Sequence, residues 1–446
     1  SLDGLEGSEV EAALADADAI IVRSATQVTR GLMDAAPSLK AIGRAGVGVD
    51  NIDLKAATER GIPVMNAPAG NTVSAAELTL ALLLATARKV VEADRSIREG
   101  EWKRSALKGF ELRGKILGLV GAGRIGGEVA RRAQAFGMDV LAFDPYLTAE
   151  RASDLGMTLA SLDEVLERSD FMSLHVPLTD ATRGMIGSAE LGRMKPSAIL
   201  INAARGGVVV EAALAQALSE GRLRGAALDV YEAEPLAPDS ALRDAPNLVL
   251  TPHLGASTAD AQELVAVEIA EAVKSALLEG DLTRALNAPA IGGEALRTLR
   301  PMLTLAERAG LLASVLSSGG IQEVGICVAG SYDPSFERPL TAAVLTGILR
   351  RVQGADQVNF VNALHMAETR GIRIRTAHTS RRSDFSEVLE ITIDSEGGRV
   401  TVVGAMLGEG HPRIVGIDDF SVDVIPEGSL VVLVNRDVPG VIGRVG

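Results

Sequence analysis

The 446-residue sequence has a single cysteine, few aromatic residues and no long hydrophobic run. With only Cys327 it can form no intrachain disulfide, which fits a reducing, cytoplasmic setting. Because Cys327 lies in an apolar run, we expect its thiol to be buried as a small hydrophobic group. No apolar run approaches the ~18 residues of a membrane-spanning helix, and no signal peptide is recognisable. We therefore expect no membrane partner.

Positive charge is also in short supply. The chain has 44 Lys and Arg against 58 Asp and Glu, a formal net charge of -14, which argues against nucleic acid as a partner. An anionic substrate would then need a locally basic pocket. Aliphatic residues are abundant, since 47% of the chain is hydrophobic although only 3% is aromatic. At ~100–200 residues per domain, this length predicts two to four domains with large aliphatic cores.

A glycine-rich turn organises the middle of the chain. An apolar run at 115–120 leads into Gly121-x-Gly123-x-x-Gly126, and a helical pattern follows as far as Gly137. We expect Gly121 to allow a tight turn, Gly123 to let the backbone approach a pyrophosphate, and Gly126 to let helix and strand pack closely. The N–H groups at the start of that helix would face the phosphates. The turn therefore predicts a dinucleotide site.

The strand that follows the helix, at 138–143, ends on Asp144, 23 positions after Gly121. An acidic residue ~20 positions after such a turn binds the adenosine ribose in dinucleotide-binding folds. Asp144 is followed by Pro145 and Tyr146 and not by arginine. A ribose 2′-phosphate would therefore meet a carboxylate with no cation beside it, and we expect NAD as the cofactor.

Short strand patterns alternate with helical ones on both sides of the turn, which is typical of parallel sheets with ligands at their carboxyl edge. Arg23 and Arg44 follow two such strands before the turn. They are either solvated or anion-binding, and we favour anion binding because both occupy the same edge. After the turn, four strands end near polar residues: His175; Arg205; Asp229 with Glu234; and His253. His175 precedes a proline, and we expect it to shape the loop over the cofactor.

The residues at these strand ends suit the oxidation of a hydroxy acid. Such a reaction needs a base for the hydroxyl proton while hydride leaves for the nicotinamide, and histidine has the pKa closest to neutrality. We assign His253 as the base and Glu234 as the carboxylate that orients its ring. Arg205 can clamp a substrate carboxylate through its planar fork and polarise the C2 oxygen. No metal site is expected.

These motifs together resemble the D-isomer-specific 2-hydroxyacid dehydrogenase family over roughly residues 1–285. The matching stretches are 44–53, 74–77, 121–126, 175–178, 202–207, 227–235 and 251–258. The resemblance implies that Arg205, Glu234 and His253 are catalytic. It implies that the loop with Trp102 and Arg104 reaches the site of a neighbouring subunit. It implies substrate contacts at Arg23, Ser24, Arg44, Arg104 and Arg205. It places cofactor contacts at Gly121, Gly123, Arg124, Ile125, Gly126, Asp144, Ala203, Ala204, Asp229, His253, Leu254, Gly255 and Ala256.

Residues 46–53 and 253–258 most resemble the branch of the family that oxidises 3-phospho-D-glycerate to 3-phosphohydroxypyruvate, the first step of serine biosynthesis. The long form of that branch carries an intervening domain and an ACT domain. Residues 289–428 carry no dinucleotide motif and show the pattern of an α+β domain, with one hairpin predicted over 388–403 and another over 414–425. A strand, turn and helix start from Ser429 resemble the opening of an ACT domain. By that resemblance Asn435 and Asp437 would bind serine as an effector.

We therefore expect an α/β protein with two doubly wound parallel-sheet domains of Rossmann or flavodoxin-like type, an α+β intervening domain and the start of a βαββαβ ACT domain. The expected boundaries are 1–74 with 263–288 for substrate, 75–262 for NAD, 289–428 for the intervening domain and 429–446 for the ACT start. A long apolar helix at 78–97, opened by a capping box at 74–77, and the Trp102 loop predict a homodimer or homotetramer. We expect that the natural chain extends beyond both ends of this sequence.

Two interpretations stay open. The substrate could instead be glyoxylate, hydroxypyruvate or D-lactate, or the chain could be a corepressor that senses NADH without turnover. Four arginines at the expected site exceed what lactate needs, which favours a phosphorylated acid. A further basic cluster is either a solvated strand face or a regulatory anion site; its members are Arg370, Arg373, Arg375, Arg381 and Arg382.

Overall fold

A computed structural model of the chain describes residues 12–330, 333–354, 357–379, 385, 387–408 and 410–433. They fall into two compact units. The first takes the described residues within Ser1–Arg44, Gly48–Asn66 and Ile269–Gly446, and the second those within Ala45–Val47 and Ala67–Glu268. No helix in the described ranges is long and apolar enough to cross a membrane.

The amino-terminal part of the first unit is a small parallel sheet, in the order β1 (Ala19–Val22), β2 (Ala41–Arg44) and β3 (Val64–Asn66). Helix α1 (Arg30–Asp34) connects the first two strands and α2 (Leu54–Glu59) the last two. The side chains of Thr29 and Asp53 cap these helices, as their residue types favour. The alternation of strand and helix is the predicted one.

The second unit contains a seven-stranded sheet in which every pairing is parallel. Its order is β10-β9-β8-β7-β4-β5-β6, so the chain reverses its direction of progress between β4 and β7 and opens a crevice there. The strands are β4 (Ile116–Val120), β5 (Asp139–Phe143), β6 (Thr158–Leu159), β7 (Phe171–Leu174), β8 (Ile199–Asn202), β9 (Gly225–Leu228) and β10 (Leu248–Leu250).

The helices of the second unit cover both faces of this sheet. Every residue of β7, β8 and β9 is buried, as expected for central parallel strands. The helices are α3 (Thr72–Ala87), α4 (Val90–Arg98), α5 (Arg124–Ala135), α6 (Ala149–Asp154), α7 (Leu162–Arg168), α8 (Ser188–Arg193) and α9 (Glu211–Ser219); α10 (Ala259–Glu279) begins in this unit and ends in the first.

The prediction of one helix over 78–97 is wrong, because α3 and α4 are separated at Lys89, whose φ is 51°. The N–H of Phe110 donates to the Ala87 carbonyl at 3.2 Å, so that carbonyl is taken by a neighbouring segment. The capping box at Ser74 is also wrong. The helix begins earlier, at Thr72, and the buried Ser74 hydroxyl lies 3.3 Å from the hydroxyl of Thr258.

The carboxyl-terminal part of the first unit is a six-stranded mixed sheet in the order β12-β11-β13-β14-β15-β16, in which only the β11–β12 pairing is parallel. Both predicted hairpins are confirmed, β13 with β14 and β15 with β16. The strands are β11 (Ile321–Gly330), β12 (Arg373–Thr379), β13 (Glu387–Ser395), β14 (Gly398–Leu407), β15 (His411–Ile417) and β16 (Phe420–Val424); the helices are α11 (Gly293–Leu316), α12 (Glu337–Gln353) and α13 (Ala363–Thr369).

Three local predictions for this region have separate outcomes. Cys327 in β11 is a free thiol, half-buried, and burial raises its pKa. The strand predicted from Ser429 is not formed over the described residues 429–433. Asn435 and Asp437, the predicted effector residues, lie outside the described residues, as do Arg381 and Arg382.

Candidate active site

The glycine-rich turn joins β4 to α5 as predicted. Gly121 has a φ of 92°, in the region that favours glycine, and a methyl on it would lie 2.5 Å from the His175 carbonyl oxygen. A methyl on Gly126 would lie 2.4 Å from the Gly121 carbonyl oxygen, which explains the third glycine as a close approach of helix and strand. The position of Gly123 is open, with nothing within 4 Å. The backbone there is accessible to a phosphate.

Asp144 is tied to this turn. One carboxylate oxygen accepts the N–H of Ala122 at 2.9 Å, and the other accepts the N–H of Tyr146 at 2.9 Å. The predicted ribose-binding carboxylate thus stands beside the glycine turn, at the carboxyl end of β5. Arg124 and Ile125 form the first turn of α5, so their N–H groups are those free to meet a phosphate.

His175 forms another wall of the turn. Its Nε2 lies 3.0 Å from the hydroxyl of the buried Ser173, and burial lowers the pKa of His175 to about 4. The imidazole is therefore neutral near pH 7 and is held by a hydroxyl, not by a carboxylate. This environment agrees with a role in shaping the loop.

The central pair of the site is His253 and Glu234. The Nδ1 atom of His253 lies 2.7 Å from Oε2 of Glu234, and Oε1 of Glu234 accepts the N–H of Tyr231 at 3.1 Å. His253 has a φ of 54° and a partly exposed side chain. The carboxylate therefore fixes one ring nitrogen, and Nε2 remains for a substrate proton.

The electrostatics of the pair agree with this arrangement. Its hydrogen bond to Glu234 raises the pKa of His253 above the ordinary value, although burial and the charge of Arg205 both lower it. Burial opposes ionisation of Glu234, but the bond to His253, the Tyr231 N–H and the Arg205 charge hold the pKa of that carboxyl below its usual value. Arg205 thus acts on both members of the pair, and the structure brings the three predicted residues together.

Arg205 follows β8, in a loop held by Asn202. The amide nitrogen of Asn202 donates to the Arg205 carbonyl at 2.9 Å, and its amide oxygen accepts the N–H of Ala204 at 3.1 Å. Asn202 is almost fully buried. It therefore fixes the backbone of Ala203, Ala204 and Arg205, which are the residues predicted to line the cofactor and substrate.

Asp229 organises the loop that carries His253. It is fully buried, and its oxygens accept the hydroxyl of Thr251 at 2.6 Å and the N–H groups of Leu254 at 2.7 Å and Gly255 at 2.9 Å. The sequence placed Asp229, Leu254, Gly255 and Ala256 among the cofactor contacts. The structure shows that Asp229 holds the backbone of Leu254 and Gly255.

The predicted anion-binding residues are divided between the units. Arg23 and Ser24 follow β1 and Arg44 ends β2, paired with Val22, so these residues share the carboxyl edge of the first sheet. The Asn51 amide donates to the Arg23 carbonyl at 2.9 Å and fixes that end of the strand. Arg104 belongs to the second unit, in an exposed loop with Trp102, whose exposed fraction is 83%.

The second basic cluster has carboxylate partners in its described part. Arg373 and Arg375, on the edge strand β12, each lie 3.0 Å from an oxygen of Glu323, which is buried. Their positive charge is thus partly neutralised within the sheet. Among the described residues, no group of three or more His, Cys, Asp or Glu could hold a metal ion.

Sequence reasoning missed the supporting residues. Asn202 and Ser173 are polar residues inside apolar strand patterns, and that contrast was the available signal. The sequence gives no such signal for Tyr231, because its importance comes from contacts with Glu234 and with the His253 loop.

Comparison with known proteins agrees with this site. Residues 80–255 match the model for the D-isomer specific 2-hydroxyacid dehydrogenase NAD-binding domain, and residues 298–418 match that for the D-3-phosphoglycerate dehydrogenase intervening domain. The chain belongs to the D-isomer-specific 2-hydroxyacid dehydrogenase family. Residues 80–255 are accordingly an NAD-binding domain of this family.

Within the family, the chain is similar to D-3-phosphoglycerate dehydrogenases. It is 44% identical to that of Archaeoglobus fulgidus over 429 residues, covering 96% of this chain and 81% of the relative. It is 42% identical to that of Bacillus subtilis, covering 96% and 81%. Among solved structures, the D-lactate dehydrogenase of Aquifex aeolicus complexed with NAD and lactic acid is 34% identical, with a TM-score of 0.56 over 61% of this chain and 86% of that one.

Proposed function

We propose that this chain oxidises 3-phospho-D-glycerate to 3-phosphohydroxypyruvate by hydride transfer to NAD, the first step of serine biosynthesis. The observation that carries the proposal is the hydrogen bond of 2.7 Å between His253 and Glu234, within the field of Arg205 and in the unit that carries the glycine turn. The similarity to D-3-phosphoglycerate dehydrogenases along nearly the whole chain supports the choice of substrate.

The residues divide the reaction between them. NAD, when bound, accepts the hydride from C2 of the substrate. Neutral His253 takes the hydroxyl proton at Nε2, and Glu234 stabilises the imidazolium that forms. Arg205 binds the substrate carboxylate and polarises the C2 oxygen as it becomes a carbonyl. One alcohol and one NAD⁺ thus give one ketone, one NADH and one proton.

Further parts of the proposal concern recognition and regulation. Arg23, Ser24, Arg44 and Arg104 would bind the charges of a phosphorylated substrate, for which one arginine is not enough. We also propose a homodimer or homotetramer in the cytoplasm, with Arg104 serving a neighbouring subunit. Serine as an effector would act through Asn435 and Asp437.

The test is NADH formation followed by absorbance, with 3-phosphoglycerate and D-lactate compared at equal concentration, and with and without serine. We expect faster turnover of 3-phosphoglycerate. Faster oxidation of D-lactate would contradict the substrate assignment, and no turnover of any 2-hydroxy acid would favour an NADH-sensing corepressor.

The variant for this assay is His253→Asn. Asparagine tolerates the left-handed backbone of position 253 and removes the base, so we expect NADH binding to persist while turnover falls by at least ~100-fold. Wild-type turnover in this variant across the pH range would remove His253 from the mechanism.

A further inference from the structure

Tyr231 lies at the junction of the three catalytic segments. Its N–H donates to Glu234 at 3.1 Å, and its hydroxyl donates at 2.8 Å to the carbonyl of Thr251, two residues before His253. Its side chain is buried, and burial raises the pKa of Tyr231 to about 12, so the hydroxyl stays a donor near neutral pH. Tyr231 therefore connects the Glu234 segment to the His253 loop.

The third segment meets this junction at Gly206, next to Arg205. A methyl on Gly206 would lie 1.7 Å from the Tyr231 carbonyl oxygen and 2.2 Å from its carbon. Side-chain carbons are not found that close to another atom, so the Arg205 loop reaches this depth only with glycine at 206. The φ of Gly206 is not in the left-handed region, so the constraint is space and not backbone conformation.

We propose that Gly206 is a positioning residue that sets Arg205 against the Glu234–His253 pair through its contact with the Tyr231 carbonyl. Three hydrogen bonds and a buried ring fix Tyr231, and the Asn202 amide holds the Arg205 carbonyl. A side chain at 206 must therefore displace the Arg205 loop. A displacement of about 1 Å between substrate clamp and base can cost ~100-fold in rate.

Displacement of Arg205 has an electrostatic consequence that a general loss of stability does not share. The Arg205 charge lowers the pKa of His253. When Arg205 moves away, that pKa rises, the base stays protonated to higher pH, and the acid limb of kcat/KM for alcohol oxidation moves to higher pH. This readout separates a positioning role from a purely structural one.

The experiment compares Gly206→Ala with Gly192→Ala in the full chain. Gly192 lies in α8 of the same unit, and a methyl added there would have nothing within 4 Å. Gly192→Ala therefore adds the same methyl group in open space. For Gly206→Ala we expect a loss of kcat of at least ~10-fold, NADH affinity within ~2-fold of wild type, and the acid limb at higher pH. For Gly192→Ala we expect all three values to match wild type.

The activity readout rests on the proposed function, so a second readout is independent of turnover. The pKa of His253 is titrated by NMR of the histidine rings, with His253→Asn to assign the signal, and it should rise in Gly206→Ala. An inactive wild-type chain in which this rise occurs would contradict the proposed function and support the positioning role. An unchanged pKa with wild-type kcat, or a loss of NADH affinity as large as the loss of kcat, would overturn the positioning role.

Tyr231→Phe is the second variant if Gly206→Ala does not fold. It removes the hydroxyl that donates to the Thr251 carbonyl at 2.8 Å and to the Leu228 carbonyl at 3.4 Å, and it keeps the ring. We expect kcat to fall several-fold with NADH affinity retained, because Tyr231 then holds its two segments less firmly. Its matched control is Ser314→Ala, which removes a buried hydroxyl bound to the Ile348 carbonyl at 3.1 Å, far along the chain. Wild-type kcat in Tyr231→Phe would overturn the proposal.

Discussion

The pKa of His253 is set by the Glu234 carboxylate, by burial and by the charges of Asp229 and Arg205. The Glu234 carboxylate raises the pKa of His253, and the Arg205 guanidinium lowers it by a smaller amount. The net effect is a pKa of His253 above the ~6.5 of an ordinary histidine. Because alcohol oxidation needs the neutral ring and ketone reduction the protonated one, the two directions should lose activity on opposite sides of this pKa.

Replacement of Glu234 by Gln should shift the pH dependence downwards. Without the carboxylate the imidazolium is less stable, so the pKa of His253 falls and oxidation persists to lower pH. The maximal rate should also fall by at least ~10-fold, because one charge-assisted hydrogen bond is worth ~1.5–3 kcal/mol. The measurement is kcat/KM against pH in the direction of NADH formation.

Glu232→Gln is the control for that profile. Glu232 is an exposed carboxylate two residues away whose oxygen accepts the N–H of Glu211, and it is not among the groups that shift His253. Its profile should match that of wild type. An acid limb that stays in place in Glu234→Gln would show that the limb belongs to another group.

At the scale of elements, the turn between β4 and α5 is determined by crowding. Gly121 combines a left-handed φ of 92° with a carbonyl oxygen 2.5 Å from where a methyl would lie. We expect this element to bind phosphate, because such contacts hold the strand, the turn and the helix start in one register. Gly127 lies in the helix α5 that follows the turn, and a methyl added there would have nothing within 4 Å.

Gly121→Ala should destabilise the protein and weaken NADH binding, whereas Gly127→Ala should not. We expect Gly121→Ala to lower the free energy of unfolding by about 1–3 kcal/mol, from backbone strain and the contact with His175. Gly127→Ala, inside α5, should raise it by up to about 1 kcal/mol. Denaturant unfolding and NADH titration measure both. Equal effects of the two substitutions would contradict the packing argument.

At the scale of the whole molecule, two sheets remote in sequence form one unit. The side chain of Asn359 donates to the Gly61 carbonyl at 2.8 Å, and that of Asn362 donates at 3.4 Å to the Glu59 carbonyl, which the end of α2 leaves without a helical partner. His365 of α13 lies 3.9 Å from the Glu59 carboxylate. The intervening region is therefore attached to the sheet that carries Arg23 and Arg44.

Gly61→Ala tests this attachment against a matched site. Gly61 and Gly371 each lie two residues after a helix, α2 and α13, with φ of 69° and 71°. A methyl at 61 would lie 2.2 Å from the Asn359 amide, whereas Gly371 has nothing within 4 Å. Both substitutions should cost about 1–2 kcal/mol of backbone strain. Gly61→Ala should cost ~1–3 kcal/mol more, since partly buried hydrogen bonds are lost. Equal unfolding free energies would show that the contact contributes little.

The sequence by itself determined the features that depend on neighbours along the chain. The strand, glycine turn and helix over 116–135 and the hairpin at 387–407 formed as predicted, because each is set by local backbone preferences and hydrogen bonds. The proximity of Arg205, Glu234 and His253 was also within reach of the sequence, since the carboxyl ends of parallel strands meet at one edge of a sheet.

Only the tertiary structure decided what depends on partners far apart along the chain. Ser74 is a buried helix residue and not a cap, because its hydroxyl meets Thr258. The break between α3 and α4 follows from the segment that takes the Ala87 carbonyl. The roles of Asn202 and Tyr231, and the attachment of Asn359 to Gly61, come from hydrogen bonds and close packing. No periodicity records such contacts, since their energy depends on distances that exist only once the chain has folded.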